Sequence, residues 1–128
     1  MRELTSDGLL AAVRGWVEIE SPTQDAAGVN RVADLVEAKL RAIGASIERI
    51  PGTDGFGDIL LGRIAGAEAG PGLLLLGHID TVHPVGTLAG PLPFRVEGDR
   101  AYGPGIYDMK GDNAMDVAAL EHLPATGR

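Results

Sequence analysis

Apolar residues recur three or four apart twice in the first third of the chain. Leu10, Val13, Val17 and Ile19 keep roughly helical spacing after Ser6 and Asp7, either of which can cap a helix. "ESPTQDAAG" breaks the pattern, because Pro22 cannot continue a helix and Gly28 ends the loop. Val29, Val32, Val36, Leu40 and Ile43 then share one face of a second helix, with Gly44 placed as its C-terminal cap. Three short apolar segments follow. "ASIERI" is mixed and reads as an edge strand, and "DILLGRI" is more apolar. "GLLLLG" is a continuous apolar run between glycines, the pattern expected of a central parallel strand buried on both faces. The intervening "PGTDGFG" and "AGAEAGPG" are turn and loop text. "FRVEGDRAYG" predicts a small hairpin turning near Gly98 and Asp99, and "GPGIYD" is irregular. A last helix is expected from about Asn113 to His122, stopped by Pro124.

Helices alternating with apolar strands predict an α/β layer fold with a largely parallel central sheet flanked by helices. The 128 residues suit one domain. A strand followed by a helix normally feeds a further strand, and none is expected after "HLPATGR". The expectation is therefore that residues 1–128 are the N-terminal part of a longer domain.

Charge narrows the choice of partners. The net charge of −7 argues against nucleic acid or an anionic membrane as a general partner, since both require a basic surface. An acidic surface can still hold a local cation. With no cysteine, any zinc must be bound by imidazole and carboxylate. "MRELTSDGLL" does not read as a secretory leader, and no apolar run approaches the length of a membrane span, so a cytoplasmic location is expected.

Two stretches carry candidate chemistry. "GHIDTVHPVG" places His78 and Asp80 at the carboxyl end of the apolar run, where open α/β sheets bind ligands. In extended backbone, residues 78 and 80 point to the same side. A carboxylate beside a histidine fixes its tautomer and raises its basicity as a ligand, so the pair suits a ligand and its holder, or two ligands. The same pair is also what a polar rim with a surface ion pair looks like. "GPGIYDMKGDN" places Asp108 just before the last helix, as a site acid or simply a helix-end acid. Gly103 and Gly105 begin a dinucleotide-type fingerprint, but Asp108 stands where its last glycine belongs and would repel a pyrophosphate. Asp108, Asp112 and Asp116 are four apart, unlike the alternate acids of a calcium loop. Asp112 and Asp116 read as a solvated helix face, Lys110 as a neutralising neighbour, and His83 and His122 as surface or loop histidines.

Together, "LLLLGHIDTVHPVG", "PLPFRVEGDRAYGPGIYDMKG" and the opening "VEIESPTQDAAGVNRVADLVEAKLRAIGASIE" resemble the dinuclear zinc family of glutamate carboxypeptidase, aminoacylase, acetylornithine deacetylase and succinyl-diaminopimelate desuccinylase. The resemblance is to the N-terminal part of a zinc-exopeptidase-like catalytic domain, in the glutamate-carboxypeptidase-like branch. It implies that His78 is a zinc ligand, that Asp108 bridges two zinc ions, and that Asp80 orients His78 and counts as catalytic. It implies hydrolysis of amide bonds in small peptides or N-acyl amino acids, with two zinc ions in the complete enzyme and cobalt or manganese as alternatives. It leaves a homodimer of the complete enzyme open. The chain departs from the pattern at Asp112, where the family often has a second glycine, and at Pro124, which interrupts a helix that usually continues. No residue matches the family's later general-base glutamate or its remaining ligands. The chain alone is therefore expected to be inactive, and a stand-alone non-catalytic or interaction module is the alternative.

Overall fold

The computed structural model describes residues 4–67 and 69–123. Helix α1 spans Ser6–Val17 and α2 spans Ala26–Ala42. Strands β1 (Ser46–Ile50) and β2 (Ile59–Arg63) come next, then β3 (Arg95–Glu97) and β4 (Arg100–Tyr102). Helix α3, Gly111–His122, closes the order.

Local chemistry explains most boundaries. Thr5, rather than Ser6 or Asp7, caps α1: its hydroxyl oxygen accepts from Gly8 N at 3.1 Å. Helix α2 begins ahead of Gly28, which is buried inside it, so the loop after Pro22 is shorter than the sequence suggests. Gly44 lies just past α2 with φ of 86°, a left-handed conformation that glycine adopts without a steric penalty. Helix α3 starts at Gly111, slightly before the expected Asn113, and the expected stop at Pro124 lies outside the described residues.

The helices make the core. Trp16 of α1, Val32 of α2, and Ala114 and Val117 of α3 are buried together, with Val13, Ile19, Leu35, Val36, Leu40 and Ile79 packed around them. Strands β1 and β2 form an antiparallel pair, Ser46 opposite Arg63 and Ile50 opposite Ile59. Arg49 ties that pair to α2: its guanidinium donates to Asp58 at 2.7 Å and to Asp34 at 2.5 Å. Strands β3 and β4 form the predicted hairpin.

The expected parallel central sheet is not found among the described residues. Both sheets among the described residues are two-stranded and antiparallel. Residues 73–76, the expected central strand, pair with no strand, and Leu73 and Leu76 are 99% and 82% exposed. A run of leucines marks a strand only if flanking strands take up its backbone groups, and none of the described segments does. Among the described residues, the one parallel pairing is an isolated bridge between Pro22 and Thr81. No described helix is long and apolar enough to cross a membrane.

This packing makes opposite predictions for two apolar side chains. Trp16→Ala is expected to cost roughly 3–5 kcal/mol, as for a large side chain removed from a packed core. Leu74→Ala is expected to change stability by no more than about 0.5 kcal/mol, as at an exposed position. Urea unfolding followed by circular dichroism measures both, and similar losses for the two would mean that residues 73–76 are packed in solution.

Candidate metal centre

The segment from Gly77 to Thr81 is held from two directions, by residues 21–23 and by the start of α3. Thr81 N donates to Ser21 O at 2.8 Å, and Thr23 N donates to Thr81 O at 3.1 Å. Ser21 is fully buried, and its hydroxyl donates to Ile79 O at 2.8 Å. From the start of α3, Asn113 Nδ2 donates to His78 O at 2.6 Å. Gly77 passes so close to α3 that a Cβ there would overlap the Asn113 side chain, so glycine permits the approach.

That frame places the three predicted site residues in one line of contacts. His78 Nδ1 lies 3.1 Å from Asp80 Oδ1 and also 3.1 Å from the Asp80 carbonyl. His78 Nε2 lies 2.7 Å from Asp108 Oδ1. Asp108 is carried by the turn before α3, at φ −126° and ψ 93°, and its side chain is 75% exposed. A doubly protonated His78 ring donates to both carboxylates. Burial pulls its pKa down, but the hydrogen bonds to Asp108 and Asp80 and their charges outweigh this and raise it above the ordinary histidine value.

Two further side chains brace the turn and the loop. Lys110, fully buried, donates from Nζ to Ile19 O and so joins the turn carrying Asp108 to the chain just past α1. Burial pushes its ammonium down to about 8, while the Glu20 charge opposes the shift. Glu20 accepts from Gly86 N at 2.9 Å and from Leu88 N at 2.8 Å, fixing the loop after Thr81. Those backbone hydrogen bonds hold the Glu20 carboxyl below its usual range.

The other histidines diverge from one another. His83 lines a small cavity of about 150 Å³ with Val82, Gly103, Ile106, Tyr107 and Asp108, nearer the site than a loop histidine need be. His122 sits at the far end of α3, its Nδ1 2.9 Å from Ala118 O. That is nine residues from Asn113, or roughly 13 Å along the helix axis.

The donor set suits zinc in kind. One imidazole nitrogen held by a carboxylate, facing a second carboxylate, is the nitrogen-and-oxygen pairing that zinc takes when thiolates are absent. The number falls short: among the described residues no group of three or more such side chains could hold a metal ion. His78 and Asp108 supply two donors, where a catalytic zinc takes three from protein.

Residues 74–128 match the model of Peptidase family M20/M25/M40. Over 112 residues, 87% of this chain, the sequence is 44% identical to carboxypeptidase G2 of Pseudomonas sp. (strain RS-16). Succinyl-diaminopimelate desuccinylases of Novosphingobium aromaticivorans and Methylobacterium nodulans are 35% and 39% identical over 73% and 87% of it. The chain belongs to the M20 peptidase family. The family is hydrolytic and generally metal-dependent, and relatives of this M20 chain carry carboxypeptidase and desuccinylase names. The chain spans 26%, 26% and 28% of the length of these three relatives.

The His78 contacts set a direction for its titration. In the metal-free chain it is expected to titrate above about 6.5, the value for an unperturbed ring. A raised folded value means that its contribution to stability is fully present below that pH. The contribution is lost as pH rises through the folded value. Asp108→Asn should lower the His78 value, as followed by ring proton shifts in NMR. An unchanged value would mean that the contact with Asp108 does not hold in solution.

Proposed function

We propose that this chain is the N-terminal part of the catalytic domain of a zinc-dependent amide hydrolase, glutamate-carboxypeptidase-like, acting on small peptides or N-acyl amino acids. The observation that carries the reading is the single line from Asp80 through the His78 ring to Asp108. The family membership and the carboxypeptidase and desuccinylase names of its relatives support it. In this reading His78 and Asp108 would hold the zinc, and Asp80 is the carboxylate that orients His78 and is counted as catalytic on that account. Residues 73–76 are then a strand of a largely parallel sheet, whose neighbours come from polypeptide outside this chain.

Each residue has a task that its surroundings allow. Asp80 accepts the Nδ1 proton of His78 and so leaves the Nε2 lone pair directed at the site. Asp108, exposed at the end of its turn, offers two oxygens and negative charge to offset the repulsion of neighbouring cations. Bound zinc supplies Lewis-acid polarisation of an amide carbonyl and acidification of water. No residue of the chain matches the family's general base, a group whose loss alone costs on the order of 10²–10⁴-fold in rate.

Two outcomes follow for purified protein. Zinc-supplemented chain is expected to give no turnover of N-acyl amino acids or of peptides ending in glutamate. Turnover that is lost on chelation and restored by zinc would contradict the assignment of the base elsewhere. In equilibrium zinc titrations, His78→Ala and Asp108→Ala should each lose specific binding, and Asp80→Ala should weaken it roughly 10–100-fold. His83→Ala should leave it nearly unchanged. Undiminished binding by Asp108→Ala, or its loss in His83→Ala, would overturn the ligand assignment.

A further inference from the structure

Asp80 has two carboxylate oxygens, and the contacts to His78 use only one of them. The other, Oδ2, accepts a hydrogen bond from Thr23 Oγ1 at 2.5 Å. Thr23 lies 57 residues earlier, in the loop between α1 and α2. We infer that Thr23 is a positioning residue for the candidate metal centre: by holding Asp80 Oδ2, its hydroxyl fixes the carboxylate that orients the His78 ring. The inference rests on the metal-site reading of His78.

Where the hydroxyl proton goes can be decided. Thr23 Oγ1 also lies 3.3 Å from Thr81 O, and the hydroxyl carries one proton. Thr81 O already accepts from Thr23 N at 3.1 Å, whereas the contact with the carboxylate is shorter and charge-assisted. The proton therefore goes to Asp80. Thr23 is itself held firmly. Its backbone N–H is fixed to Thr81 O, the adjacent Pro22 bridges Thr81, and a β-branched side chain has few χ1 choices. A carboxylate gripped at one oxygen can still rotate about its Cβ–Cγ bond. Gripped at both, it presents Oδ1 to Nδ1 in one orientation, and the ring follows.

The contact lies at the solvent edge, where water competes for both partners, so the effect on metal binding is expected to be smaller than that of removing Asp80. Thr23→Val keeps the shape and removes the hydroxyl, and Thr23→Ser restores it. In zinc titrations of the full 128-residue chain, Thr23→Val should weaken binding about 3–10-fold, below the 10–100-fold of a direct partner. Thr23→Ser should stay within about twofold, and Thr23→Val added to Asp80→Ala should cost nothing more, since two residues acting through one contact are not additive. A second readout needs no metal. At a pH where His78 is neutral, ¹⁵N NMR of its ring should show the share of the Nε2–H tautomer rising in Thr23→Val and returning in Thr23→Ser. The inference is overturned if the tautomer share of Thr23→Val equals that of the unaltered chain, or if Thr23→Val costs as much zinc affinity with Asp80 removed as with it present. If instead His78→Ala binds zinc as well as the unaltered chain, the metal-site reading fails, and the tautomer comparison still decides the role of Thr23.

Discussion

The hydrogen bonds between residues 21–23 and residues 79–81 hold a segment that has little other backbone support. On its N-terminal side, residues 73–76 run unpaired past solvent. On its C-terminal side the loop is fixed by the Glu20 carboxylate. Between them, Thr81 N to Ser21 O, Thr23 N to Thr81 O and the buried Ser21 hydroxyl to Ile79 O set the register. A shift of one residue would turn His78 and Asp80 to the opposite side of the backbone. Because Ser21 and Thr23 follow α1 and precede α2, packing of those helices around Trp16 and Val32 determines where the imidazole points.

Charge follows the same frame. The chain carries a net −7, yet among the described residues the fully buried ionisable side chain is a lysine. Lys110 lies two residues after Asp108 and reaches back to the carbonyl of Ile19, so the turn bearing the exposed carboxylate is anchored from beneath. An ammonium placed there also offsets nearby acids, Glu20 among them. The arrangement leaves His78 exposed between two carboxylates, with its pKa raised: a site that attracts a proton or a cation.

Much of this was legible in the sequence, for identifiable reasons. The helical spacing from Val29 to Leu40 located α2, since one apolar face is all a surface helix requires. The turn at Gly98 located the hairpin. Two short motifs singled out His78, Asp80 and Asp108, and the structure places both carboxylates within hydrogen-bond distance of the His78 ring. The sheet was not. An apolar run records that side chains want burial, while strand pairing depends on partners that the run itself does not encode, and "GLLLLG" finds none among the described residues. Thr23, Ser21 and Asn113 carried no signal either. Their polar atoms meet residues 78–81 across 35 to 58 positions, and no local spacing reports such a meeting.

In the proposed site His78 and Asp108 converge on one metal position, with Asp80 and its partners holding the imidazole in place. Crystals of the chain soaked in zinc, with diffraction recorded on either side of the zinc absorption edge, test it most directly. The predicted result is an anomalous peak at bonding distance, about 2.0–2.2 Å, from both His78 Nε2 and an Asp108 carboxylate oxygen. A map with no peak there, and zinc instead at His83 or His122, would contradict it.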